Sequence, residues 1–295
     1  ESGLVDKLLD GYNVDARPAA NGSAPVNVNV TIHLQSLQEM DEKNQILTSV
    51  LWIAAFWNDP RLAWDPDEYE GTASISIHQT KLWTPDLILL NNAEDMYGAL
   101  QDHNFRAIVY PKGDVQYWVA GKLKISCVLD LTFFPFDAQA CYFHINSWGY
   151  NSQAVSLRTN DKAINIRYGH NPQWRIVDSS VKLEISPETY HGYDYESLIY
   201  TIHLQRKPQY YINIVVVPCS LLSVVSLMNF CLPVQEGEKI AMGMTVLLSF
   251  SVFQLIIADN MPRTSDQVIL MCEYYLPHVS CFIQLYISQQ CTSQH

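Results

Sequence analysis

Apolar and polar residues alternate strictly from Val26 to Leu34. Val26, Val28, Val30, Ile32 and Leu34 take one set of positions, and Asn27, Asn29, Thr31 and His33 take the other. A period of two marks a half-buried strand, because successive side chains point to opposite faces. Similar signals predict strands over Ile46–Trp57, Ser74–His78, Ile108–Tyr110, Gln116–Val119, Cys141–Trp148, Val181–Ile185 and Leu198–Gln205. Turn chemistry separates several of them, as at Pro111-Lys-Gly113-Asp114 and Asp65-Pro-Asp67. Residues 4–11 instead carry apolar positions at helical spacing and end on Gly11, which predicts a short amphipathic helix. Many short strands without intervening helices predict an antiparallel β-sandwich.

The pattern changes at Arg206-Lys207-Pro208. Tyr210–Leu232 holds no charged residue and is long enough to cross a bilayer as a helix, with Pro218 expected to kink it. Ile240–Ala258 is a second uncharged run, flanked by Glu236 and Glu238-Lys239 on one side and Asp259 on the other. Val268–Ile287 is a third, interrupted by Glu273, Pro277 and His278. These runs divide the chain into an outer β-sandwich over 1–207 and a helical membrane domain over 208–295. One helix face of the second run, taken in steps of three and four, reads Glu238, Ala241, Thr245, Leu248, Val252, Leu255, Asp259. It is charged at both ends and apolar in the middle. Several copies around an axis would place charged rings at two mouths, with a hydrophobic constriction between them. A lone anchor helix with its end charges among lipid headgroups is the alternative.

Composition narrows the function. A net charge of −12 argues against a nucleic-acid partner and suits a surface that gathers cations, beyond its effect on solubility. Of the cysteines, only Cys127 and Cys141 precede residue 207; Cys219, Cys231, Cys272, Cys281 and Cys291 lie in or beside apolar runs and are expected to be free. One pair in the polar half points to an oxidising, extracellular compartment. The sequons at Asn21 and Asn29 agree with that, and Asn29 falls on the polar positions of its strand. No basic-then-apolar leader opens the chain, which fits a signal peptide already removed. There is no Gly-x-Ser-x-Gly, no His-Glu-x-x-His and no metal-spaced Cys/His set, so neither an enzyme nor a metal or other cofactor is expected.

The stretch Cys127–Cys141 encloses Phe134-Pro135-Phe136-Asp137 and lies ahead of the apolar runs. In spacing and centre it resembles the signature loop of the Cys-loop receptors, the pentameric ligand-gated ion channels. The resemblance runs from the first helix to about residue 270 and is nearest to nicotinic acetylcholine receptors. It implies that this disulfide-closed loop couples the two domains, with Asp137 a candidate partner for Arg206. Gly237-Glu238-Lys239, followed by Val246-Leu247-Leu248-Ser-Phe-Ser-Val252-Phe253, resembles the family's pore helix. That likeness makes Leu248 the gate and Glu238 the inner selectivity ring, with Asp259 at the other mouth. Both charges are negative, which implies cation selectivity.

The family binds its ligand between subunits in a box of aromatic side chains, whose faces attract cations. By resemblance, Trp148 in Ser147-Trp148-Gly149-Tyr150 is the principal tryptophan, and Trp52 in Trp52-Ile-Ala-Ala-Phe-Trp57 supplies the complementary face. Tyr195 is the second tyrosine of the capping loop Ser186–Tyr195, Tyr190 or Tyr193 the first, and Tyr110 and Trp118 are weaker candidates. Trp57, Trp64 and Trp83 are expected in the core, and Trp83-Thr-Pro85-Asp86 resembles a structural motif of the family. Several features depart from the pattern. Leu90 replaces an expected tyrosine, the capping loop lacks adjacent cysteines, and Thr48 stands where a glutamate is common. The fourth span of the family is not in this sequence. The implied partners are four further subunits, a cationic or amphiphilic small ligand, membrane lipid and permeating cations, at the plasma membrane with the N-terminal domain outside. Acetylcholine is expected to be weak or inactive. An accessory subunit that assembles without conducting alone is the second reading.

Overall fold

The computed structural model describes residues 2–19, 24–94, 105–161, 163–167, 169–186, 194–229 and 238–259. Asn21, Tyr190, Tyr193 and the third apolar run lie outside them. Helix α1 covers Ser2–Leu9 and buries Leu4. Strands follow at β1 (Val26–Asp41), β2 (Ile46–Asn58), β3 (Ile75–His78), β4 (Leu87–Leu89), β5 (Arg106–Val109), β6 (Asp114–Ser126), β7 (Ala138–Ser147), β8 (Val155–Arg158), β9 (Asn165–Ile166), β10 (Trp174–Ile185) and β11 (Glu196–Arg206). They form two sheets, ordered β3-β5-β6-β2-β1-β8, with β9 also on β1, and β10-β11-β7-β4. Most pairings are antiparallel, but β8 and β9 run parallel to β1.

Alternation explains the core between the sheets. Val28, Val30, Ile32 and Leu34 of β1 are buried, as are Val115, Tyr117, Val119, Leu123 and Ile125 of β6. Two register shifts in β1, at Leu34/Ser36 and Leu37/Glu39, change the phase. They bring Leu37 and Met40 inward and carry the strand well past Leu34, where the simple alternation ends. The expected segment Gln116–Val119 lies in the first half of a much longer strand. The segment Val181–Ile185 is the end of another, whose first half contains a bulge at Ile176/Asp178. Strands β4, β8 and β9 carried too few residues to show a period.

Cross-links join the layers. Cys127, just after β6, and Cys141 in β7 form a disulfide with Cα atoms 5.3 Å apart. Tyr200 of β11 donates from its hydroxyl to the Val30 carbonyl at 2.7 Å, and burial pushes its phenol up to about 12. Near α1, buried Asp59 accepts from the Tyr12 hydroxyl at 2.6 Å and from Arg61 at 2.7 Å. Gly113 passes this group with φ +80°, and a Cβ there would sit 2.3 Å from the Asp59 carbonyl oxygen, so the turn admits no side chain.

Beyond β11 come α2 (Gln209–Tyr211), a π-helical turn (Ile212–Val216), α3 (Val217–Asn229) and α4 (Glu238–Asp259). The stretch Gln209–Met228 is long and apolar enough to cross a membrane; Ala241–Phe253 is a shorter apolar helix. The expected disturbance at Pro218 takes the form of the π turn immediately before it. A proline lacks the amide that would bond the carbonyl four residues back, and a wider turn absorbs that loss. Asn29 is half-buried rather than on a free polar face, and its side-chain carbonyl accepts from the Asn160 amide at 3.1 Å.

Candidate functional site

Trp148 follows β7 directly and is 54% exposed. Its position is set by its neighbours. Asp86 accepts hydrogen bonds from the Ser147 hydroxyl and, at 2.5 Å, from the Gly149 amide, so one carboxylate holds the residues on both sides of the tryptophan. The Trp148 amide donates to the Asp86 carbonyl at 3.3 Å. Trp83 of the same Trp-x-Pro-Asp motif packs behind, edge-on to Trp57 at 5.8 Å, with its indole NH donating to the Tyr150 hydroxyl at 3.3 Å. Trp57 and Trp83 are core residues and Trp64 is partly buried against the core.

The capping segment leaves β10 and returns into β11. At its base Ser186 donates its amide to the carbonyl of half-buried Tyr195 at 2.9 Å. Glu196 accepts from the Leu157 amide at 2.7 Å and the Ser156 hydroxyl at 2.9 Å, tying the base to β8. Leu90, after β4, is exposed and bonds the His144 carbonyl through its amide at 2.8 Å.

The second group of aromatics lies on the outer face of the seven-stranded sheet. Trp52 on β2 stands opposite His33 of β1 and Ala120 of β6, and is 37% exposed. Trp118 stacks on His33 at 5.1 Å and meets Phe56 edge-on at 5.9 Å. Burial, and then the Arg167 charge, depress the His33 pKa. The Arg167 guanidinium lies over the Trp52 ring, 5.7 Å from its centroid. Tyr110 is half-buried at the β5–β6 turn, its amide bonded to the Asp114 carbonyl. Trp52 thus lies on one sheet, and Trp148 directly follows a strand of the other.

At the junction between the β-sandwich and the helices, the Arg206 side chain is fully buried. Its guanidinium donates to Asp137 at 2.7 and 3.2 Å and to Glu42 at 2.6 Å. It also lies over the rings of Trp174 at 4.2 Å, Phe134 at 4.9 Å and Tyr211 at 5.2 Å. Burial works against its charge, but the bonds from Asp137 and Glu42 outweigh that and raise its pKa. The Cys127–Cys141 loop supplies Asp137 and Phe134, joined by a cis bond to buried Pro135, while Phe136 points out and is exposed. Glu42 came without a sequence signal: it sits in a charged turn, Asp41-Glu42-Lys43, where no residue type marks a partner. Thr48 is buried and takes no part among these bonds.

On α4 the chain shows two faces. Ala241, Thr245, Leu248, Val252 and Leu255 are all exposed. Val246 is buried and Met242, Phe250 and Phe253 are half-buried, on the side opposite to that stripe, and α3 packs along α4. Glu238 and Asp259 form the two ends of this helix. The hydroxyls of Thr245, Ser249 and Ser251 donate to the carbonyls four residues back, at 2.6, 2.8 and 2.9 Å, which satisfies them within the helix.

Residues 1–208 match the family model described as the neurotransmitter-gated ion-channel ligand binding domain. Residues 215–287 match the neurotransmitter-gated ion-channel transmembrane region. The chain belongs to the neurotransmitter-gated ion-channel family. Among curated relatives, it is 33% identical to the neuronal acetylcholine receptor subunit alpha-9-II of Oncorhynchus mykiss over 92% of this chain and 49% of that one. It is 35% identical to the alpha-4 subunit of Gallus gallus, over 94% of this chain and 44% of that one. With the beta-3 subunit of Rattus norvegicus it shares 33% identity, over 98% of this chain and 60% of that one. The chain spans about half the length of the curated relatives it matches. Within this neurotransmitter-gated ion-channel chain, the tryptophans, the buried arginine and the exposed α4 stripe all fall inside the matched regions.

Proposed function

We propose that this chain is a subunit of a cation-selective ligand-gated channel, assembled as five subunits around an axis. Residues 1–207 form the extracellular domain in this reading, and 208–295 the membrane domain. The observation that carries it is the two-faced α4, with Ala241, Thr245, Leu248, Val252 and Leu255 exposed opposite a packed face. A polar-ended stripe of that kind cannot face lipid all round, and an axial pore gives it water. Glu238 and Asp259 then form acidic rings at the two mouths, and Leu248 the constriction.

The ligand site in this reading lies between subunits. Trp148 of one subunit, held by Asp86, faces Trp52 of its neighbour, with Tyr195 at the edge of the site. Aromatic faces suit an amine or quaternary ammonium. Leu90 and the absence of adjacent cysteines favour a ligand other than acetylcholine, and equally favour a subunit that assembles without conducting alone. Current from membranes carrying the chain, with and without a panel of amines, tests the reading. Ligand-dependent cation current that Trp148→Leu abolishes supports it; a panel that yields only anionic agonists contradicts it.

A further inference from the structure

The face of Trp52 is already occupied by a charge from its own chain. Strand β9 pairs with β1 in a fixed register, Asn165 beside His33 and Ile166 beside Leu34. The Arg167 amide continues the pairing by donating to the Leu34 carbonyl at 3.0 Å. His33 in turn stands directly opposite Trp52. The backbone therefore delivers Arg167 one strand away from the tryptophan, and its guanidinium settles 5.7 Å from the ring centroid. Nearby Asp161 is bonded to the Asn165 amide group at 2.9 Å, and among the described residues Arg167 forms no ion pair. The guanidinium thus stands beside the Trp52 face that a ligand would approach.

We infer that Arg167 sets ligand specificity: it competes with a simple cation for Trp52 and favours a ligand carrying a carboxylate beside its ammonium. This rests on the interfacial aromatic site proposed above. The two charges of such a ligand divide between subunits. The ammonium takes Trp148 of one subunit, and the carboxylate takes the Arg167 fork of the neighbour, whose planar donors match two carboxylate oxygens. A ligand with only an ammonium meets a like charge on the complementary side and must displace it.

Choline and glycine betaine make a direct test, since both carry a trimethylammonium group and only betaine adds a carboxylate. Equilibrium binding of each is measured on membranes carrying the full assembled chain. The unaltered protein binds betaine more tightly than choline. Arg167→Gln tightens choline about fivefold and loosens betaine by a similar factor, the scale of one exposed cation–π or charge-assisted contact. Arg167→Lys, which keeps the charge, retains the betaine preference in part. Equal betaine-to-choline ratios in the unaltered and Arg167→Gln proteins overturn the inference. Trp148→Leu separates the two levels. If both probes depend on Trp148 while their ratio ignores Arg167, only the role of Arg167 fails. If neither probe binds, or neither depends on Trp148, the aromatic site fails with it.

Discussion

At the scale of single residues, the strongest commitments are buried charges. The Arg206 side chain is fully buried, so Asp137 and Glu42 are needed to compensate its charge. Removing one partner of such a group leaves an uncompensated buried charge, which costs about 3–5 kcal/mol. Asp137→Ala should therefore lower the melting temperature of the solubilised protein sharply. Glu42→Gln should lower it less, because the Glu42 side chain keeps 17% of its exposure. Equal effects would mean that the two carboxylates share the load differently. Asp86 makes a different contribution, by aiming Trp148. Asp86→Ala removes the acceptor for the Ser147 hydroxyl and the Gly149 amide. Ligand binding should weaken about tenfold as Trp148 loses its aim, and the melting temperature should fall as well, because the same bonds hold the fold. His33 and His144 both have depressed pKa values, through burial first. A histidine held neutral stabilises the fold fully above its ordinary value near 6.5, and that stability drains away as pH falls through the lower folded value. Melting temperature should thus fall on acidification below about pH 6.5, and replacing both residues by Gln should flatten that part of the profile.

Among the elements, α4 carries the sharpest prediction. Leu248 sits in the middle of the exposed stripe, one helical turn above Thr245. If five copies form a dry constriction, Leu248→Thr lets water in and raises current without ligand. Unchanged basal current from a variant that reaches the surface would place the gate elsewhere. The elements also show how much the chain reveals by pattern. Uninterrupted alternation made the first half of β1 legible, a nearly continuous apolar run marked β2, and the uncharged run marked the helix carrying the stripe. Alternation failed where a bulge shifts its phase, as after Leu34, or where small and charged residues dilute it, as at Ala120-Gly121-Lys122 in β6. The candidate site residues Trp148 and Trp52 were named through the resemblance of their flanking motifs, since residue type alone does not separate them from core Trp57 and Trp83. Glu42 and Arg167 were not legible, because each is an ordinary charge in a turn or short strand until register brings it to its partner.

For the whole molecule, the two halves belong to one mechanism in the account proposed here. The β-sandwich holds Trp52 on one sheet and Trp148 directly after a strand of the other, the Cys127–Cys141 loop meets Arg206 and Tyr211 at the junction, and α4 carries the stripe below. A ring of subunits is required to complete both the ligand site and the pore. Imaging of purified particles should show fivefold symmetry, and a stable monomer in the membrane would break the account at this level. The central claim is that this ring conducts cations. The most direct measurement is the reversal potential of the ligand-evoked current when sodium chloride is diluted on one side. The potential should follow the sodium gradient and move toward zero when Glu238→Ala and Asp259→Ala are combined. A potential that follows chloride in the unaltered protein would contradict it.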